Sequence, residues 1–339
     1  MKRTSVIGVV AGAVIATVAA SASAETWRFG IEETEGSVQY KYAQEFKEMI
    51  EAKSDGDVTV RVLPYGEWGS VYSALYDSVQ SGALHIAFGS GALGGTVPES
   101  QLMSLNYVMP SDQKRTAQVL NSDEFLHSDA WEKSFTERGL YPLAMLPEGY
   151  QVWTANKAIE SPADIKGVNI RTMDNSLLLN TYRAYGAAPS NIAYGELYSA
   201  MQQGQVEGNI QPVWAHENMS FYEVQDYMIF AKQAQFIAAL FANNEWRMDL
   251  SDEQRKMIRE TTNELVSFGH ETQMELNDRR MEMIKENSDI NIIELNEEQR
   301  ADFREMAKPV REMYVEQVGE RGKTALNILL KKFDMKPVE

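Results

Sequence analysis

The sequence predicts an α/β protein built from two domains, and three features carry that expectation. The chain is 339 residues long, beyond the roughly 100–200 residues of a usual single domain. Its early part alternates extended and helical runs, with a strand at Thr26 to Ile31, a helix from Val38 and a strand at Val58 to Leu63. That β-α-β order favours a mostly parallel sheet. A weak internal repeat also sets Leu75-Tyr76-x-x-Val79-Gln80-x-Gly82 beside Leu197-Tyr198-x-x-Met201-Gln202-x-Gly204. In each copy a helix stops at a glycine and a buried strand follows, as two domains of like architecture would produce.

The chain opens with Met1-Lys2-Arg3, an apolar run from Val6 to Ala20 and the small residues Ala22-Ser23-Ala24, the pattern of a secretory signal peptide over 1–24. The run is short for a membrane span, and no other stretch approaches the roughly 20 apolar residues one needs. The mature protein is therefore expected to be exported, soluble and periplasmic. Without cysteine it has neither disulfides nor a thiolate. A formal net charge of −17 argues against nucleic acid, whose phosphates need Lys and Arg. Any anionic ligand must then be captured by a local positive pocket against the overall field.

Ser37 caps a helix on which Val38, Tyr42, Phe46, Met49 and Ile50 recur at helical spacing. Asp55-Gly56-Asp57 turns the chain into the next strand, and a helix at Ser73 to Gln80 leads to a strand at Leu84 to Phe88. Leu140 to Ala155 and Tyr227 to Phe241 are apolar runs long for single strands. They read as strands crossing between domains, with ordinary core strands as the alternative. The crossings assign 25–150 plus 236–276 to domain I and 151–235 plus 277–330 to domain II. Ser251 faces Gln254 in a capping box that opens one long helix to Asn287. At about 1.5 Å per residue it outreaches a 150-residue domain, so it should span both, bending near Gly269. Asn296 and Gln299 cap a further helix that Pro309 is expected to kink or divide, and Lys323 to Phe333 is an amphipathic tail.

The most informative stretch is Gly167 to Trp214. It reads as strand Val168 to Arg171, helix Leu177 to Tyr185, helix Glu196 to Gln203 and strand Val206 to Pro212, with Gly186 and Gly204 as stops. Carboxyl ends of neighbouring strands in such a unit converge on one crevice, which brings Arg171, Gln211 and Trp214 together. A guanidinium is permanently charged and offers a planar fork of donors to a carboxylate or sulfonate, so an organic-anion site is expected. Arg171 could instead bridge the sheet, and Trp214, Tyr194 and Trp153 could be core aromatics. The four histidines, His85, His127, His216 and His270, have no metal-binding spacing. No Gly-x-Ser-x-Gly or His-Glu-x-x-His is present, so neither catalytic group, metal nor cofactor is expected. Gly89-x-Gly91-x-x-Gly94 with Asp112 imitates a dinucleotide fingerprint, but Pro98 interrupts the helix that should follow. Close backbone approach or a tight turn explains these glycines better.

Asn169-Ile170-Arg171-Thr172-Met173, Gly186-Ala187-Ala188-Pro189 and Glu196-Leu197-Tyr198 with Gln202-x-Gly204-x-Val206-Glu207-Gly208 together resemble the substrate-binding (DctP-type) proteins of tripartite ATP-independent periplasmic (TRAP) transporters. The likeness runs over nearly the whole mature chain. It implies a periplasmic binding protein clamshell with mixed sheets, crossing hinge strands and a long domain-spanning helix. Such a protein acts as a monomer, closes on one small organic anion or zwitterion and hands it to the small and large membrane subunits. Arg171 matches the family arginine that pairs with the ligand carboxylate, and Gln211 stands where the family has asparagine. Trp27 to Glu33 and Pro147-Glu148-Gly149 most resemble the ectoine-binding branch, in which a carboxylate matching Glu33 meets the cationic ring. Tyr194 replaces a tryptophan of that branch and Ala92 a phenylalanine, which implies fewer aromatic walls and a smaller ligand. The ligand-binding set is thus Arg171, Gln211, Glu33, Trp214, Tyr194, Trp153, Ser90 and Asn175, with Glu33 read as an ionised carboxylate in the pocket, and a solvated strand-end carboxylate or an acceptor for a neutral hydroxyl as its alternatives. An exported enzyme on a small organic acid and a sensory ligand-binding module are the alternative readings.

Overall fold

The computed structural model describes residues 24–69 and 71–338, so the leader read at 1–24 lies, but for Ala24, outside the described residues. The sheet strands are β1 (Glu25–Gly30), β2 (Val58–Leu63), β3 (Ile86–Gly89), β4 (Leu140–Ala155), β5 (Ile170–Thr172), β6 (Ser190–Asn191), β7 (Gly208–Pro212), β8 (Tyr227–Phe230), β9 (Gln235–Asn243) and β10 (Asn291–Glu294). They run in the order β2-β1-β3-β9-β4-β7-β5-β6, with β8 joining β4 to β10. Pairing is parallel for β1 with β2 and β3 and for β5 with β6 and β7, but antiparallel wherever β4 or β9 takes part. The sheet is therefore mixed, as expected.

β4 is the member common to both halves. Leu140 to Tyr150 pair with β9, whereas Gln151 to Ala155 pair with β7. The register shifts between Pro147 and Tyr150, and a bulge of that kind bends a strand. There the first half of the molecule gives way to the second. The apolar run at 227–241 behaves differently from the single strand expected: it breaks into β8 and β9. Lys232, at φ 47°, turns the chain between the two, so the return crossing is a loop flanked by strands.

Helices cover both faces. In chain order they are α1 (Val38–Lys53), α2 (Tyr72–Gln80), α3 (Gln113–Leu120), α4 (Asp123–Leu126), α5 (Asp129–Thr136), α6 (Pro162–Ile165), α7 (Ser176–Ala184), α8 (Leu197–Gln202), α9 (Val213–Asn218), α10 (Asn244–Asp249), α11 (Asp252–Asn287) and α12 (Glu297–Lys332). Ser37 caps α1 by accepting from the Tyr40 N–H, and Ser251 and Asn296 form capping boxes at α11 and α12. α11 is 36 residues long, about 54 Å at 1.5 Å per residue, and packs on α1 and β4 as well as α9. It continues through Gly269 as one unbroken helix. A Cβ there would lie 2.6 Å from Leu146, so the glycine serves close packing on β4. In α12 the interruption is at Gly319, φ 70° and ψ −161°, not at Pro309. Proline keeps a helical φ and forfeits one donor, whereas Gly319 leaves the helical region altogether.

Among the described residues one core packs Leu75, Trp131, Phe135, Phe241 and Leu329 under α12, and two other large ones follow from this layering. One gathers Trp27, Phe29, Phe46, Phe88, Leu240 and Ile258 under α1 and α11. The other packs Trp153, Ile170, Tyr182, Tyr185, Ile229 and Phe303 in the second half. Rigid walls on both sides leave the cleft between them as the place where side chains can meet a ligand.

Candidate functional site

The carboxyl ends of β1 and β3 on one side face those of β5 and β7 on the other. Glu33, Ser90, Tyr194, Gln211 and Trp214 line an enclosed cavity there, holding about 10 Å³ of free volume, the room needed by about one water. Tyr72, Met173 and Tyr194 separate it from a wider cleft of about 850 Å³ that also reaches Arg171, Asn175 and Ala92.

Arg171 is the middle residue of β5, where alternation turns its side chain off the sheet. It is only 2% exposed, its Nε donates to the Ile192 carbonyl at 2.9 Å, and its Nη1 has no partner among the described residues. Burial lowers its pKa, while Tyr72, Tyr194 and Tyr65 act in the opposite sense. The rings of Tyr65 and Tyr194 stand 6.3 Å apart, edge to face. A buried guanidinium with a free donor and no carboxylate is built for an external anion, because a charge left unpaired in the interior is costly. The Tyr194 hydroxyl, Trp214 Nε1 and Glu33 Oε2 are likewise buried without partners among the described residues. Four unpaired polar atoms around one cleft are a concentration that ordinary cores avoid.

Ser90 follows β3, and its N–H donates to Glu32 at 2.9 Å while its hydroxyl faces the Met173 sulfur at 3.6 Å. Asn175 caps α7 through the Leu177 and Leu178 N–H groups and donates across the cleft to the Gly91 carbonyl at 2.7 Å. It thus joins the two sides at the cleft wall. The Gly91 backbone is so near that a Cβ would lie 2.7 Å from Met173, which is the close approach read from the glycine-rich stretch. A 3-10 turn at Gly91–Gly95 follows β3, and Asp112 caps α3 instead. Trp153 is the candidate the structure sets apart: its indole N–H donates to the Tyr182 hydroxyl at 2.8 Å inside the second core.

Glu33 differs from the expected ionised carboxylate. Burial, and then the neighbouring Glu148, push its pKa well above the usual range, and burial pushes Glu148 up to about 8. Burial and mutual proximity therefore favour keeping a proton on this pair near neutrality. Glu32 is also raised by burial, against hydrogen bonds from Ser90 and Tyr76. The aromatic walls are richer than the substitutions at 92 and 194 implied, because Tyr72 and Phe236 also line the cavity. Phe236 belongs to β9 and Tyr72 to α2, both far in sequence from the Gly167 to Trp214 unit, and no local motif marks either. Glu32 could have been singled out by its adjacency to Glu33. A second cavity of about 840 Å³ lies between β4 and the start of α11. Two of its cations are already engaged, Arg255 by the Leu250 and Met248 carbonyls and Asp252, and Arg247 over the Tyr141 ring at 3.5 Å.

Two lobes joined by a crossing strand around a buried, polar, partly unpaired cleft define a substrate-binding protein of the clamshell class. The chain belongs to the DctP family, bacterial extracellular solute-binding protein family 7, whose model matches residues 29–317, and it is a periplasmic binding protein of the TRAP-transporter type. It is 33% identical over 332 residues to the ectoine-binding periplasmic protein TeaA of Halomonas elongata, covering 97% of this chain and 95% of that one. The ectoine/5-hydroxyectoine-binding periplasmic protein UehA of Ruegeria pomeroyi is 32% identical, with 95% of each chain covered. A TRAP periplasmic solute-binding protein from Marinobacter aquaeolei VT8, in an apo open structure, is 36% identical with a TM-score of 0.85, covering 90% of this chain and 99% of that one. These relatives are named as binding proteins. Among the described residues no helix is long and apolar enough to cross a membrane.

Proposed function

We propose that this protein captures a small organic zwitterion, or an anion bearing a hydroxyl donor, and delivers it unchanged to the small and large membrane subunits of a TRAP transporter. The carboxylate or sulfonate head rests on Arg171 and the donor end on Glu33, with Gln211, Ser90, Tyr194 and Trp214 around the body. The observation that carries this reading is the buried Arg171 guanidinium with Nη1 unpaired, facing a cleft whose other end is acidic. A purely dianionic ligand would meet the acidic end unfavourably, which selects against it. The names of the two ectoine-binding relatives support a zwitterion.

A thermal-shift screen of ectoine, taurine, isethionate and short hydroxy acids against succinate tests the ligand class. A ligand at 100 times its dissociation constant adds about 2.7 kcal/mol of stability. Stabilisation by succinate alone would remove the donor-end assignment, and steady turnover of any of these compounds would make the protein an enzyme. Arg171→Ala is expected to weaken binding about 100-fold or more, since it removes charge-assisted bonds of about 1.5–3 kcal/mol and strands the ligand anion. Titration calorimetry giving wild-type affinity in a folded Arg171→Ala protein would end the anion-clamp reading.

A further inference from the structure

Three carboxylates gather at the deep wall of the cleft, Glu32 and Glu33 just after β1 and Glu148 in the β4 bulge. Glu32 is satisfied, by the Ser90 N–H at 2.9 Å and by the Tyr76 hydroxyl. Glu148 takes one bond, from the Gln39 amide at 3.1 Å. Glu33 Oε2 and Glu148 Oε2 remain buried without partners among the described residues, although the two side chains are near enough to hydrogen-bond each other. Two carboxylates cannot make that bond, because both only accept; one must carry a proton. Among the described residues neither is paired with a lysine, arginine or histidine. The groups facing the pair are Glu32 beside β1, Ser37 and Gln39 at the start of α1, Tyr72 of α2 and Tyr194 before α8. Arg280 of α11, beside Gly36, is already paired with Glu217. Asn277 of α11 fixes the backbone by donating to the Glu148 carbonyl at 2.9 Å. Among the described residues no three acidic or histidine side chains are disposed to hold a metal ion.

We infer that Glu33 and Glu148 share one proton, and that a ligand's cationic nitrogen, seated against Glu33, expels it to solvent. Glu148, which does not line the enclosed cavity, is a positioning residue: it acts through Glu33, setting how readily that carboxyl gives up its proton. One positive charge replaces another, so the buried wall keeps its net charge when a zwitterion binds. A ligand with a neutral hydroxyl leaves the proton in place. This deepens the proposed function and rests on its zwitterion reading.

The experiment is titration calorimetry with ectoine and taurine on the full mature protein, in phosphate and in Tris, between about pH 6 and 8.5. The difference in heat between buffers counts protons. The wild type is expected to release close to one proton on binding near pH 7, with affinity rising up to about tenfold per pH unit before levelling off. In Glu148→Gln the levelling-off should move to lower pH, a change that a merely structural role would not produce. Binding with no proton released and no pH dependence would overturn the shared proton while leaving the binding reading intact. An unshifted profile in Glu148→Gln would remove Glu148 from the device. Absence of binding by either zwitterion at every pH would overturn the zwitterion reading together with the proton expulsion that rests on it. Should Glu148→Gln not fold, the proton count on the wild type decides the matter alone.

Discussion

Burial of Glu33 and Glu148 ties the stability of the ligand-free protein to pH. In the unfolded chain a glutamate titrates near 4.5, whereas Glu148 in the folded protein titrates at about 8, so between these values the folded state binds more protons. The stability from this pair is full below the unfolded value and is lost as pH rises through the folded one. Buried His216, lowered from 6.5 to about 4, acts at the acid end, where stability falls as pH drops below its unfolded value. A window from about pH 7 to 8.5 therefore isolates the carboxyl pair. The melting temperature of the ligand-free protein should decline across it, and Glu148→Gln should flatten the decline; a wild-type Tm that rises there would contradict the assignment. Arg171 was legible in the sequence, since a strand-end arginine in an α/β unit has few places to point but the crevice. The Glu33 and Glu148 pairing was not, because the two residues lie far apart in the chain and meet only through the shift of β4 register. Tyr72 and Phe236 were hidden for the same reason.

At the scale of elements, the bend in β4 depends on Gly149. Its φ of 113° lies where L side chains rarely sit, and a Cβ there would be 2.4 Å from the Asn277 amide. That amide side chain holds the Glu148 carbonyl and accepts from the Trp214 N–H, so displacing it disturbs both walls of the cleft. Gly149→Ala is expected to cost about 1–3 kcal/mol, read as a lowered denaturant midpoint, and to weaken ligand binding as well. An unchanged midpoint would show that the bend tolerates a side chain. Helix starts were readable from their caps, at Ser37, Ser251 and Asn296, because the capping side chain and its target are neighbours in sequence. The break between β8 and β9 was not readable. Ala231 to Ala234 carry neither glycine nor proline, and Lys232 reaches positive φ without the residue type that usually announces it. The helix break displaced from Pro309 to Gly319 shows the same limit: a glycine marks permission, and only the surrounding packing decides whether it is used.

For the molecule as a whole, the cavity beside Glu33 has room for about one water, so a ligand of several heavy atoms seated between Arg171 and Glu33 is expected to require the lobes to part and then close on it. Small-angle scattering should give a smaller radius of gyration with saturating ligand than without; identical profiles would mean a rigid site. The two-lobe plan was legible from the length, the alternation and the long helix, whose span exceeds one lobe. The wiring also dictates an order of events. β9 lies between β3 and β4 in the first sheet, so the sheet that begins at Glu25 is not complete until Asn243 has arrived. Since the early strands wait for late ones, a chain threading through a membrane N-terminus first would stay slack, with the β3 edge open, until most of its length had passed. This strand order predicts that the first sheet closes only once β9 has been exported, and that the β3 edge is the surface to be shielded in the interval.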